Sequence, residues 1–263
     1  MLLKNKVAVI YGAGGAIGGA VARAFAREGA SLFLADRRAA TAEAVAKDVV
    51  SAGGRADVAE VDALDEKAID AHLQAVVDKA NRIDISFNAV GIPNTKLQGV
   101  ALVELAVEEF FLPIATYARS YFLTSRLAAR RMVAQGAGVI MTATSTPSRA
   151  GIPLMGGVGP AMSAVEQLTR NLSAELAGKG IRVIGLRPTG MPDSGTIKEV
   201  FGLHAKAWGI TWDQFHDLIA ARSHGRRLTT LGETANLAAF MASDQASGMT
   251  GTIVNLSLGA LDD

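Results

Sequence analysis

The sequence predicts an α/β protein built on a doubly wound parallel sheet of seven strands. Three observations lead there. Short apolar runs recur along the 263 residues, each the length of one buried strand. Between them lie Ala-rich stretches with helical spacing, several closed by Gly. No Pro/Ser-rich linker or charge block interrupts the alternation, so residues 1–263 read as one domain.

The elements follow in order. Val7 to Tyr11 is an apolar run that ends in glycines, and Ala16 to Glu28 has helical spacing up to Gly29. Ser31 to Asp36 is strand-like, and Ala39 to Ala52 is a helix stopped by Gly53 and Gly54. Ala56 to Val61, Glu66 to Ala80 and Ile83 to Phe87 continue as strand, helix, strand. Gly138 to Ala143, Ile181 to Leu186 and Thr252 to Leu256 supply three more strands. Right-handed crossovers then place the carboxyl ends of the strands, and any ligand, along one edge.

Composition narrows the function. Apolar residues make up 49% of the chain, enough for a large core. The 26 basic and 25 acidic residues nearly cancel, which argues against nucleic acid or an anionic membrane as partner. With no Cys and four scattered His, thiolate chemistry is excluded and no metal is expected. No run approaches about 20 uninterrupted apolar residues, so no membrane span is expected. Met1 to Lys6 leads into a strand without a signal-like apolar run, and a reducing, cytoplasmic setting is the expectation.

The turn Gly12-Ala13-Gly14-Gly15-Ala16-Ile17-Gly18 joins the first strand to the first helix. Backbone without Cβ atoms approaches a pyrophosphate closely, and a helix N-terminus favours its charge. Asp36 follows Gly12 by about 24 residues, near the ~20-residue spacing at which a carboxylate meets an adenosine ribose. Its charge would repel a 2′-phosphate, which favours NAD(H). Arg37 and Arg38 stand beside it and leave NADP(H) possible.

From this point the chain resembles the short-chain dehydrogenase/reductase family along nearly its whole length. Tyr11-Gly12-x-x-x-Ala16-x-Gly18 is similar to the family's glycine motif, with Tyr for Thr and Ala for the middle Gly. Asp62, followed by Ala63, matches the Asp placed against adenine. Asp84-Ile-Ser-Phe-Asn88-Ala89-Val90-Gly91 is similar to Asp-x-x-x-Asn-Asn-Ala-Gly. Gly138 to Ser145 falls on the strand that carries the family's catalytic Ser. Ala164-Val-Glu-Gln-Leu-Thr-Arg170, Gly180-Ile-Arg-Val183, Pro188-Thr189, Met249-Thr-Gly251 and Gly259 extend the match. The resemblance implies a Rossmann fold, a nicotinamide cofactor, Thr189 near the nicotinamide amide, and a homodimer or homotetramer.

The catalytic positions depart from that pattern. The family places a Tyr 13 residues after the Ser and a Lys four further on; here those positions hold Val158 and Met162. The family's Asn on the central helix falls at Tyr117. Of four catalytic positions only Ser145 remains. A Tyr needs an adjacent cation to work as an acid near neutral pH, and Val158 has no proton to give. Tyr117 is the candidate substitute, with Tyr121 one helical turn along; both also read as packing aromatics. Arg149 is a further source of charge or an ordinary solvated side chain, and Thr142 and Thr144 read as strand residues. Gly156 to Pro160 is poor helix-forming sequence, so the helix is expected to start around Pro160, with Val158 in a flexible lead-in.

Residues 190–228 read as a helical lid bearing Phe201, Trp208, Trp212 and Phe215, aromatics that either face a ligand or pack the lid onto its own domain. With Met155, Met162 and Met191 they suggest an apolar pocket for a small apolar substrate, having few fixed polar groups. Three functions fit. The first is an oxidoreductase with an atypical site, acting on a carbonyl or enone-like substrate. The second is a dinucleotide- or ligand-binding protein without turnover. The third is a non-redox isomerase or cyclase.

Overall fold

The computed structural model describes residues 1–262. Along the chain run β1 (Val7–Tyr11), α1 (Ala16–Arg27), β2 (Ser31–Asp36), α2 (Ala39–Ser51), β3 (Arg55–Glu60), α3 (Glu66–Ala80) and β4 (Ile85–Asn88). Then come α4 (Val107–Gln135), β5 (Gly138–Ala143), α5 (Val158–Leu176), β6 (Ile181–Pro188), α6 (Gly195–Trp208), α7 (Trp212–Ala220), α8 (Leu231–Ala242) and β7 (Ile253–Leu256). All seven strands lie parallel in one sheet ordered β3-β2-β1-β4-β5-β6-β7. Strand order reverses between β1 and β4, which opens a crevice at their carboxyl ends.

Both faces of the sheet are covered, and strand alternation explains how. Ala8 and Ile10 of β1 join a core with Val21 and Phe25 of α1 and Ala238 of α8. Val9 and Tyr11 point the other way, toward Leu73 of α3 and Leu127 and Met132 of α4. Burial on both faces is why the strands read as continuous apolar runs. Capping explains several boundaries: the Asp65 carboxylate accepts from the Lys67 and Ala68 amides at the start of α3. Capping boxes pair Thr211 with Gln214 at α7 and Thr230 with Glu233 at α8.

Several boundaries differ from expectation, most by one or two residues, and β6 runs on to Pro188. β3 starts one residue early, at Arg55, and β4 runs Ile85–Asn88 rather than Ile83–Phe87. At β4 the cause is Asp84, whose carboxylate accepts from the Val7 amide and from Arg82, anchoring the strand's start. The larger difference is α5, which begins at Val158 and not at Pro160. Pro160 then sits within the first turn, where its missing N–H costs nothing. The glycines before it form a tight seam, not a loose lead-in: a Cβ on Gly157 would lie 1.9 Å from the Phe110 carbonyl oxygen of α4.

Candidate active site

One cavity of about 850 Å³ runs along the carboxyl edge of the sheet, from the β1–α1 turn to helices α6 and α7. At its first end Gly12, Gly14, Gly15, Ala16 and Ile17 line the wall. Gly12 has φ +69°, and a Cβ there would meet the Ala89 carbonyl at 2.6 Å; one on Gly18 would meet the Gly12 carbonyl at 2.3 Å. The turn is thus folded so tightly that side chains are excluded, leaving backbone facing the crevice. No side chain caps α1, so its first amides remain available to an anion.

Asp36 leaves the end of β2 and is tied to that turn: its carboxylate accepts from the Gly14 and Arg38 amides. Arg37 and Arg38 flank it, exposed, and Thr41 closes the same corner. Asp62 and Ala63 line the wall beyond β3, with the Asp62 carboxylate accepting from the Leu64 amide. Ala89, Gly91, Pro188 and Thr189 line the middle. The Thr189 hydroxyl already shares a hydrogen bond with Thr229 at 3.0 Å.

Two of the residues expected at the cofactor stand behind the wall, outside the cavity lining. Gly18 serves helix-to-turn contact, as above. Asn88 is buried; its side chain donates to Thr124 and accepts from the Val90 amide, shaping the turn after β4. Tyr11 also turns away: its ring meets His72 edge-on at 5.9 Å, and burial pushes its phenol far above the usual range.

At the other end Ser145, Tyr117, Tyr121, Val158 and Met162 share the cavity lining. Val158 and Met162 are both buried. The Ser145 side chain makes no hydrogen bond to the described residues, which leaves its hydroxyl for a ligand. Tyr117 is nearly buried and its hydroxyl makes no hydrogen bond to the described residues; burial pushes its pKa up to about 12. Such a phenol stays protonated and can donate a hydrogen bond to a ligand; it is not a tuned acid. Tyr121 is removed from the candidates, because its hydroxyl is spent on the Ala143 carbonyl at 2.7 Å and reaches the Asn88 carbonyl. It fastens β4 to β5.

Behind Ser145 lies a feature that sequence reading missed. Glu166 of α5 and Arg187 of β6 form a buried two-point ion pair, with Nε–Oε1 at 2.8 Å and Nη2–Oε2 at 3.0 Å. Ser148 and Thr144 also donate to the Glu166 carboxylate. Burial alone would raise that carboxyl's pKa; the bonds from Arg187 and the hydroxyls outweigh it and lower it. The pair therefore holds both sides of the Ser145 turn. Neither partner lines the cavity. In sequence Glu166 stood only as part of the Ala164-to-Arg170 match, with nothing to point to Arg187 as its partner. Thr142 bonds Thr169 across the β5–α5 contact, and Arg149 is exposed outside the cavity.

The lid divides its aromatics between the two readings. Phe201 and Phe215 line the cavity together with Met155, Met162 and Met191, but neither Trp does. Trp212 donates to the Lys198 carbonyl and stacks on His216, while Trp208 packs edge-on against Phe215. Trp212 packs against the lid's own core and Trp208 is exposed, so only the phenylalanines reach the cavity wall. Nor is the wall purely hydrocarbon: Asn94, Gln98 and His204 line it as a connected polar strip. Among the described residues no helix is long and apolar enough to cross a membrane.

Known proteins match this arrangement. The family model described as enoyl-(acyl carrier protein) reductase matches residues 12–260. A 7α-hydroxysteroid dehydrogenase of Escherichia coli (strain K12) is 30% identical, the alignment covering 99% of this chain and 96% of that one. Among solved structures, NAD⁺-bound xylitol dehydrogenase superposes with a TM-score of 0.91 at 25% identity, covering 99% of this chain and 100% of that one. A 7α-hydroxysteroid dehydrogenase complexed with NADH and 7-oxo glycochenodeoxycholic acid has a TM-score of 0.85 at 28% identity, covering 98% and 94%. The chain belongs to the short-chain dehydrogenase/reductase family, a family of oxidoreductases.

Proposed function

We propose that this protein is an NAD(H)-dependent oxidoreductase that moves a hydride to or from an apolar carbonyl or enone-like substrate without a tuned tyrosine acid. The observation that carries the reading is one continuous cavity, with the glycine cradle and Asp36 at one end and Ser145 and Tyr117 at the other. The dinucleotide, when bound, supplies or accepts the hydride. Gly12, Gly14, Gly15, Ala16 and Ile17 are the candidates to hold its pyrophosphate, Asp36 its ribose, and Asp62 and Ala63 its adenine. Ala89, Gly91, Pro188 and Thr189 line the rest of its path. Asp36 favours NAD(H); Arg37 is the nearest counterweight toward NADP(H).

The chain's own groups then have limited tasks. Ser145 and Tyr117 donate hydrogen bonds to the substrate oxygen and steady the charge that hydride addition places there. Val158 and Met162 have no proton to offer, so water delivers it. That suits an activated C=C bond, where hydride adds at one carbon and solvent protonates its neighbour afterwards. Residues 190–228 act as the lid. Exposed Val107, Phe111, Phe122 and Val133 fall within about 80° on one face of α4, which supports self-association as a dimer or tetramer.

The buried Val158 and Met162 also support a second reading, a dinucleotide-binding protein without turnover. An NADH fluorescence titration followed by stopped-flow oxidation with enones and ketones separates the two. Binding with enone turnover is the expected result, and binding with no turnover selects the second. Tyr117→Phe is expected to slow turnover about tenfold, the loss of one well-placed donor. An unchanged rate removes Tyr117 from the mechanism.

A further inference from the structure

The polar strip in the lid wall has a direction, and the direction selects a ligand. It begins at the Ile92 carbonyl, which can only accept, so the Asn94 atom beside it at 3.3 Å is Nδ2 donating. Asn94 Oδ1 is thereby turned toward Gln98, whose Nε2 donates to it at 2.8 Å. That leaves Gln98 Oε1 facing His204 Nε2 at 3.2 Å. An amide oxygen only accepts, so Nε2 carries the proton. A neutral imidazole has one such proton, and His204 Nδ1 is therefore a bare lone pair. Nδ1 makes no hydrogen bond to the described residues and is not among the sealed, unpartnered polar atoms. Burial lowers the pKa of the ring, which keeps it neutral at pH 7. Phe215, with its centroid 5.4 Å away, holds the ring plane.

We infer that His204 Nδ1 is a specificity-determining acceptor: the cavity takes an apolar substrate that carries a hydroxyl group remote from its reacting carbon. All three members of the strip line the cavity, amid Val200, Phe201, Phe215 and Ile219. In that apolar setting a hydroxyl gains a full hydrogen bond, whereas a carbonyl or ether would set lone pair against lone pair. That the hydroxyl lies remote from the reacting carbon rests on the hydride-transfer reading. The acceptor role of Nδ1 does not.

Two measurements test this on the full chain. In a long-range ¹⁵N–¹H spectrum of histidine-labelled protein at pH 7, assigned by the signal missing in His204→Phe, Nε2 should be protonated and Nδ1 bare. A proton on Nδ1, or an imidazolium, overturns the inference. Ligand probes are then 4-(4-hydroxyphenyl)butan-2-one and 4-phenylbutan-2-one, which differ only in a distal hydroxyl. With NADH present, the hydroxylated probe should bind about tenfold more tightly and shift the Nδ1 resonance. His204→Phe should abolish that preference. Equal affinities, or an unmoved Nδ1 resonance at the solubility limit of the phenol, overturn it. Failure of NADH itself to bind would sink the oxidoreductase reading, while the tautomer measurement still decides the role of His204.

Discussion

The two ends of the cavity are built by different means. Around Gly12 and Asp36 the wall is mostly backbone, and its shape follows from residues that cannot be exchanged without collision. Around Ser145, Tyr117 and Val158 the wall is mostly side chain, fastened from behind by Glu166 and Arg187 and from the side by Tyr121. A backbone cradle accepts one kind of ligand whatever the neighbouring side chains are. A side-chain chamber can lose its proton donor and keep its shape, because packing tolerates hydrophobic replacements of suitable volume. Val158 and Met162 are buried and fill their places in the wall, so the fold makes no demand for an ionisable group at either position.

That contrast can be broken by substitution, and the largest effect should come from behind the chamber. Glu166→Leu removes one partner of a buried ion pair and should cost about 4 kcal/mol in urea unfolding. A loss below about 1 kcal/mol would mean the pair does not hold the Ser145 turn. Next is a pH effect beneath the cradle, where burial lowers the pKa of His72 to about 4. The unfolded chain takes up that proton near 6.5, so this contribution is complete above pH 6.5 and drains away as pH falls toward 4. About 3 kcal/mol should be lost across the window, and His72→Phe should flatten the profile.

A smaller change tests the cradle directly. Gly12→Val forces a branched side chain into a left-handed turn and onto the Ala89 carbonyl, and should weaken NADH binding about 100-fold. The smallest effect is a gain. Val158→Tyr with Met162→Lys supplies an acid and a tuning cation, and should raise ketone reduction about tenfold, a fraction of what a fully placed general acid supplies. No gain in steady-state NADH oxidation would show that the chamber around those positions has also changed.

The cradle was legible in the chain because its requirements are local. A turn that admits no Cβ shows as glycine, and Asp36 lies one strand away in a regular unit. The chamber was legible only in part. Ser145, Tyr117, Val158 and Met162 could be located by counting, but the fate of each hydroxyl depended on distant partners. Tyr121 reads like Tyr117 along the helix, yet carbonyls from β4 and β5 consume its hydroxyl. Trp208 and Trp212 could be read as ligand surface or as packing within the lid; neither reaches the cavity, Trp212 packing on the lid's core and Trp208 lying exposed. Gly156 to Pro160 looked like a loose segment because helix propensity is a local quantity; contact with Phe110 is not.

Local sequence by itself determined the alternation of strand and helix and the glycine turn, since each depends on neighbours within one or two turns of chain. Only the tertiary structure decided which polar groups are spent and which are offered. His204 and Gln98 are 106 residues apart in number and 3.2 Å apart in space, and their meeting leaves one nitrogen bare. A hydrogen bond depends on what arrives at the other end, and for these groups the chain brings that partner from far away.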